Sequence, residues 1–175
     1  MLKQEVADKL TELINPMNGI AKRIVDIGTG WAESAEFFSI LKPDWTIYTI
    51  DSFGLYGDGR IYSKINHDEV VIIDKKIHDL GNVILIFGNS NDIFWELPID
   101  VLFIDGDHRY EGCRSDFLNF SQFIVPGGLV VFDDYTQENY PENGVKEVVT
   151  EILNINSKSW ELIYEGYYCA ILKKL

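Results

Sequence analysis

The stretch Val101–Tyr135, VLFIDGDHRYEGCRSDFLNFSQFIVPGGLVVFDDY, leaves its chain few ways to fold. An apolar run, Val101–Ile104, stops at Asp105, and a second, Leu129–Phe132, stops at Asp133 and Asp134. Between them the apolar residues Cys113, Phe117, Phe120 and Ile124 recur at helical spacing, which predicts a helix over Tyr110–Phe123. Pro126-Gly127-Gly128 then turns the chain into the second run. A strand–helix–strand crossover pairs parallel strands. Both runs therefore end on one edge of the sheet, where open α/β sheets hold their ligands. Neighbouring strands lie about 4.8 Å apart, so Asp105, Asp133 and Asp134 can converge on one point. Carboxylates so crowded repel one another unless a cation sits among them.

The same alternation runs through the rest of the chain. Leu2, Val6, Leu10 and Leu13 line one face of a first helix, closed by Asn15-Pro16. Arg23–Ile27 is a short apolar strand with Asp26 near its end, and Gly28-Thr29-Gly30 turns it into a helix over Trp31–Leu41. Thr46–Ile50 alternates into a second strand ending at Asp51. Ser52–Asn66, with three glycines and two tyrosines, is the least regular stretch and reads as a flap over a site. His67–Leu80 reads as a helix with Gly81 as its C-cap, and Val83–Phe87 as a third strand. A short helix is predicted around Ile93–Leu97, before Pro98. Val145–Ile155 is a last helix, and Trp160–Tyr164 and Tyr167–Lys173 form a closing hairpin. Five strands alternating with helices and two paired at the end predict a single α/β domain over residues 1–175. Its sheet is doubly wound, seven-stranded and mostly parallel, with one antiparallel strand from the C-terminal hairpin and helices on both faces.

Charge narrows the partners. With 28 Asp+Glu against 15 Lys+Arg, a net of −13, the chain repels phosphate backbones. Basic pairs such as Lys75-Lys76 and Lys173-Lys174 are too small to track a strand, so no nucleic-acid partner is expected. Cys113 and Cys169 lack metal-ligand spacing and read as buried free thiols in a reducing compartment. The N-terminus has no signal-peptide core and no run could span a bilayer, so the expectation is a cytoplasmic protein with no membrane partner. A homo-oligomer is left open.

Asp26-x-Gly28-x-Gly30 joins a strand to a helix, and its glycines let the backbone approach a ligand closely. A dinucleotide fingerprint wants a third glycine where this chain has Glu33, whose carboxylate would repel a pyrophosphate. Asp26 suits the methionine ammonium of S-adenosylmethionine instead. Asp51 stands where an acid meets ribose hydroxyls, and the turn Asn89-Ser90-Asn91 supplies polar partners for adenine. A lone GxG is an ordinary βα turn; three consecutive strand ends in this order favour adenosylmethionine. The cofactor set expected is Asp26, Gly28, Thr29, Gly30, Asp51, Ser52, Asn89, Ser90 and Asp105.

Val25–Ala35, DSFGLYG from Asp51, GNSND from Gly88, IDGDHRYEG from Ile104 and PGGLVVFDDY from Pro126 resemble the Rossmann-like class I methyltransferases. More narrowly they resemble the small metal-dependent O-methyltransferases grouped with macrocin O-methyltransferase, and more distantly the catechol type. The resemblance runs from Arg23 to Lys173. It implies magnesium, or another divalent cation, on Asp105, Asp133 and Asp134, and His108 as the base, with a small hydroxylated molecule, sugar or polyphenol-like, as acceptor. Catechol-type enzymes carry a lysine at the place of His108, and macrocin-type enzymes have longer N-terminal elements that shape the acceptor site, so the acceptor stays unnamed. Plainer readings stand beside these. His108 can merely bond within its loop, Asp107 and Asp116 read as helix-start acid and solvated face, and His67 and His78 as surface. Methyl transfer without metal, with Asp133 and Asp134 only shaping their loop, is one rival, and a module that binds adenosylmethionine or its product without turnover is another.

Overall fold

The computed structural model describes residues 2–54, 65–136 and 142–175. Most of the expected flap, including Tyr56, Arg60 and Tyr62, lies outside the described residues. The elements follow in order α1 (Gln4–Ile14), β1 (Arg23–Ile27), α2 (Glu33–Leu41), β2 (Thr46–Asp51), α3 (His67–Leu80), β3 (Val83–Phe87), β4 (Ile99–Ile104), α4 (Tyr110–Phe120), β5 (Ile124–Asp133), α5 (Val145–Ile155), β6 (Trp160–Glu165) and β7 (Cys169–Lys174). One seven-stranded sheet runs β3-β2-β1-β4-β5-β7-β6. Every pairing from β3 to β5 is parallel, and β7 lies antiparallel between β5 and β6. The strand order reverses between β1 and β4, which opens the crevice at their carboxyl ends.

The sheet is covered on both faces, and that is why its central strands read as unbroken apolar runs. In β4 every residue is buried. Leu102 and Ile104 join Val25, Ile27, Val130 and Phe132 against α4 and α5. Val101 and Phe103 join Ile24, Ile47 and Val131 against α1, α2 and α3 on the other side. At the start of α3, the Asn66 side chain accepts from the Asp68 and Glu69 amides while Glu69 accepts from the Asn66 amide, a closed capping box. Gly81, at φ +79°, ends that helix as expected.

Four local expectations are corrected. No helix forms over Ile93–Leu97: a 3₁₀ turn, Ser90–Asp92, is followed by extended chain. Ile93 and Trp95 pack inward while Phe94 is 82% exposed, an in–out alternation that suits extended chain; so short a helix could not repay its nucleation. α2 starts at Glu33 rather than Trp31, because Ala32 sits in the left-handed region at φ +58°. α4 ends at Phe120 and tightens into a 3₁₀ turn over Ser121–Phe123. Pro126-Gly127-Gly128 is an irregularity inside β5, not a turn ahead of it: the register passes from Ile99↔Ile124 to Val101↔Leu129.

Candidate active site

The strand ends are laced side by side past their last ladder bonds. Gly28 N–H donates to the Ile50 carbonyl (2.9 Å), Asp105 N–H to Ile27 (2.8 Å) and Gly88 N–H to Asp51 (3.0 Å). This brings Asp26, the Gly28–Gly30 turn, Asp51, Asn89-Ser90, Asp105 and Asp133-Asp134 onto one edge, in the strand order the sequence implied. Gly28 is needed for a close contact between protein strands. It has φ +98°, and a Cβ there would stand 2.0 Å from the Asp105 carbonyl oxygen. Gly30 has φ +47°, and no atom of the described residues lies within 4 Å of a would-be Cβ.

Asp26 is wholly buried. Its Oδ2 accepts from Ser34 (3.0 Å) and Thr49 (2.8 Å), and because the Thr49 proton is thus committed, Thr29 must donate in the 2.7 Å contact between the two threonines. Its Oδ1 is buried with no hydrogen-bond partner among the described residues. Burial pushes this carboxyl up to about 7, against the pull of its two hydroxyl donors. A buried carboxylate oxygen without a donor is costly, and a cationic ligand would relieve it. One strand away, Asp51 accepts from the Gly30 amide (3.0 Å) and the Phe53 amide (2.7 Å), so the glycine turn is tied to the acid beside it.

At the end of β3 the polar side chains are turned into the protein. Asn89 accepts from the Asn91 amide (2.9 Å), and Ser90 donates to Asp116 on α4 (2.5 Å). Asp116 is not the solvated face expected of it: it is buried, and burial raises its carboxyl to about 7 although the Ser90 bond pulls the other way.

His108 lies between the acids of β4 and β5, with Nε2 3.2 Å from Asp105 Oδ1 and Nδ1 3.3 Å from Asp134 Oδ2. The Nε2 contact is close in charge but not aligned as a hydrogen bond. Burial alone would lower the imidazole, yet the two carboxylates outweigh it and hold it up at about 10. Burial raises Asp105, with His108 opposing. Burial and then repulsion from Asp105 and Asp134 push Asp133 up to about 8, and its Oδ1 is buried without a hydrogen-bond partner among the described residues. A protonated His108 would set a cation between Asp105 and Asp134. As they stand, the carboxylates do not fit a metal ion: among the described residues no group of three or more His, Cys, Asp or Glu side chains is arranged to hold one.

Two supports had no clear signal in the sequence. Asn143 donates to the Asp134 carbonyl (2.7 Å) and accepts from the Val145 amide (2.9 Å), and the Gly144 amide donates to the His108 carbonyl (2.9 Å). The start of α5 therefore clamps both acid-bearing loops. His67 and His78 are exposed, as expected, and Cys113 and Cys169 are buried free thiols. No helix among the described residues is long and apolar enough to cross a membrane.

A family model described as a methyltransferase domain matches residues 27–135, the span from the end of β1 to the end of β5. The chain belongs to that family. Fifty-seven residues, 31% of the methyltransferase chain, are 39% identical to uncharacterized protein R132 of Acanthamoeba polyphaga mimivirus, of which they span only 26%. The fold resembles that of SMU.1697c from Streptococcus mutans, solved in complex with SAH (TM-score 0.69, 13% identity, 100% of both chains). It also resembles the O-methyltransferase NovP (TM-score 0.69, 18% identity, 97% of this chain and 78% of that one). At these identities the likeness shows the fold alone.

Proposed function

We propose that this methyltransferase uses S-adenosylmethionine to methylate a hydroxyl group on a small molecule. The observation that carries the reading is the wholly buried Oδ1 of Asp26, without a hydrogen-bond partner among the described residues, on the strand that runs into the Gly28–Gly30 turn. It is the acceptor that a methionine ammonium needs, in the crevice where the strand order reverses. Asp51, one strand over, would take the ribose hydroxyls. When bound, adenosylmethionine supplies an electrophilic methyl on its sulfonium. A neutral His108 would take the proton of the attacking hydroxyl as the new O–CH₃ bond forms and the S–CH₃ bond breaks. The likeness to an SAH-bound protein and to an O-methyltransferase supports this reading. The acidic charge of the chain speaks for a small acceptor rather than a nucleic acid. The magnesium implied by the resemblance belongs to this proposal only with a change of arrangement, because an ion shared by Asp105, Asp133 and Asp134 requires His108 to leave the gap between two of them.

The test is calorimetry followed by turnover. S-adenosylhomocysteine should bind and NAD should not; the reverse preference would sink the proposal. Turnover is then measured as S-adenosylhomocysteine released with a panel of sugar and polyphenol acceptors, with and without Mg²⁺. Tight binding with no release across the panel would favour the module that binds without catalysis.

A further inference from the structure

Asp134 stands in the left-handed region of the backbone, at φ +53°. That region is unfavourable for any residue with a Cβ, least so for Asn and Asp, and contacts outside the residue must hold it there. Two bonds do, one to each side of the Asp134–Tyr135 peptide. The Asp134 carbonyl accepts from Asn143 Nδ2 (2.7 Å), and the Tyr135 N–H donates to the Tyr168 carbonyl (3.1 Å). The conformation matters because it aims the carboxylate. Asp134 Oδ2 lies 3.3 Å from His108 Nδ1, with the two side chains only 16% and 18% exposed.

Asn143 is fixed in turn. Its Oδ1 accepts from the Val145 amide (2.9 Å) at the start of α5. A backbone N–H only donates and a carbonyl only accepts, so the two bonds set which way the Asn143 amide points. The same segment holds the other side of the contact. Gly144 N–H donates to the His108 carbonyl (2.9 Å), and Asn143 and Arg109 form an isolated antiparallel bridge. A Cβ on Gly144 would stand 2.4 Å from the Tyr110 amide nitrogen, so only glycine allows this approach. One dipeptide, Asn143-Gly144, thus ties down the backbone under both His108 and Asp134.

We propose that Asn143 is a positioning residue for His108: its side-chain N–H holds the Asp134 carbonyl, so that the Asp134 carboxylate receives His108 Nδ1–H and fixes the ring. A carboxylate on Nδ1 makes Nε2 the nitrogen that exchanges a proton with a substrate. The inference rests on the function proposed above for what the ring does, but not for where it is held. A plain cap of α5 needs only the Oδ1 bond to Val145, and the Nδ2 bond to Asp134 goes beyond it. The two roles separate chemically, because an aspartate at 143 keeps the acceptor and loses the donor.

Asn143→Asp and Asn143→Ala, compared with the wild type by NMR of the intact chain carrying nitrogen-15 in its histidine rings, test this. The His67 and His78 side chains are 92% and 89% exposed, so their ring protons exchange with water and only His108 is expected to show a lasting ring N–H. At pH 7 the wild type should show its Nδ1–H signal, and both variants should lose it. Asn143→Asp should still fold, since its cap survives. Its turnover is expected to fall about 10- to 100-fold, with S-adenosylhomocysteine affinity within about threefold of the wild type. A signal retained in Asn143→Asp would overturn the proposal, as would its absence from the wild type. Loss in Asn143→Asp but not in Asn143→Ala would trace the effect to the added charge and overturn it too. So would an Asn143→Asp chain that unfolds, because Asn143 would then support the fold rather than one ring. A wild type that binds no S-adenosylhomocysteine would sink the proposed cofactor instead, and the ring signal would still decide the positioning.

Discussion

Asp26 sets a charge-bearing group against burial, and the conflict has a sign. Its carboxyl titrates at about 7 in the fold against a usual value near 3.8, so between these pH values the folded chain holds a proton that the unfolded chain has released. Stability contributed by the protonated form is therefore present at acid pH and lost as pH rises through about 7. Asp26→Asn is expected to be more stable than the wild type at pH 8, by on the order of a few kcal/mol, with the gain gone near pH 4. The same variant should lose S-adenosylhomocysteine binding. Urea melts at the two pH values and calorimetry check both halves, and a variant that binds normally would remove Asp26 from the site. His108 poses a second question of sign. As a base it must be neutral, yet its two carboxylate neighbours hold it protonated up to about 10. Turnover is expected to rise with pH from neutrality, by about tenfold per unit, and to lose this dependence in His108→Ala. A flat profile between pH 7 and 9 would exclude the imidazole as base. His108→Ala also removes the cation between Asp105 and Asp134, so it should bind Mg²⁺ more tightly than the wild type in calorimetric titration. Equal or weaker binding would show that the imidazole does not compete for that place.

At the scale of elements, the turn between β1 and α2 separates two uses of glycine. Gly28→Ala drives a Cβ into the Asp105 carbonyl. It should lower the melting temperature and, by parting β1 from β4, weaken S-adenosylhomocysteine binding as well. Gly30→Ala meets no atom of the described residues. It adds only the strain of a left-handed residue, about 1–2 kcal/mol, but it enters the space reserved for the ligand. A folded Gly30→Ala protein with unchanged affinity would mean that the ligand does not pass there. The reading of Asp26-x-Gly28-x-Gly30 thus found the turn but not the Asp105 carbonyl that packs against Gly28. The span Ile93–Leu97 failed for a different reason. Its apolar residues were counted as helix, whereas Ile93 and Trp95 reach the core by alternation, Trp95 packing edge-on to Tyr48 at 5.0 Å. Over five residues the two periods cannot be told apart.

Across the whole molecule, the two-sided core carries the stability that lets the carboxyl edge keep buried carboxylate oxygens without a hydrogen-bond donor among the described residues, one on Asp26 and one on Asp133. Phe103 is fully buried, with Phe38 set edge-on at 5.5 Å. Phe103→Ala is expected to cost about 3–5 kcal/mol, measured by denaturant unfolding; a loss below 1 kcal/mol would mean that the face relaxes around the gap. The seven-stranded, mostly parallel sheet and the acids at its strand ends were legible in the sequence. They follow from local rules: side-chain period, turn chemistry and the handedness of a crossover act within a few tens of residues. What the acids do with one another was not legible. His108 standing between Asp105 and Asp134, Ser90 turned to Asp116 and Asn143 holding the Asp134 carbonyl were decided only by the tertiary structure. Each depends on distances of about 3 Å between residues brought together by the fold, which leave no pattern in the order of residues.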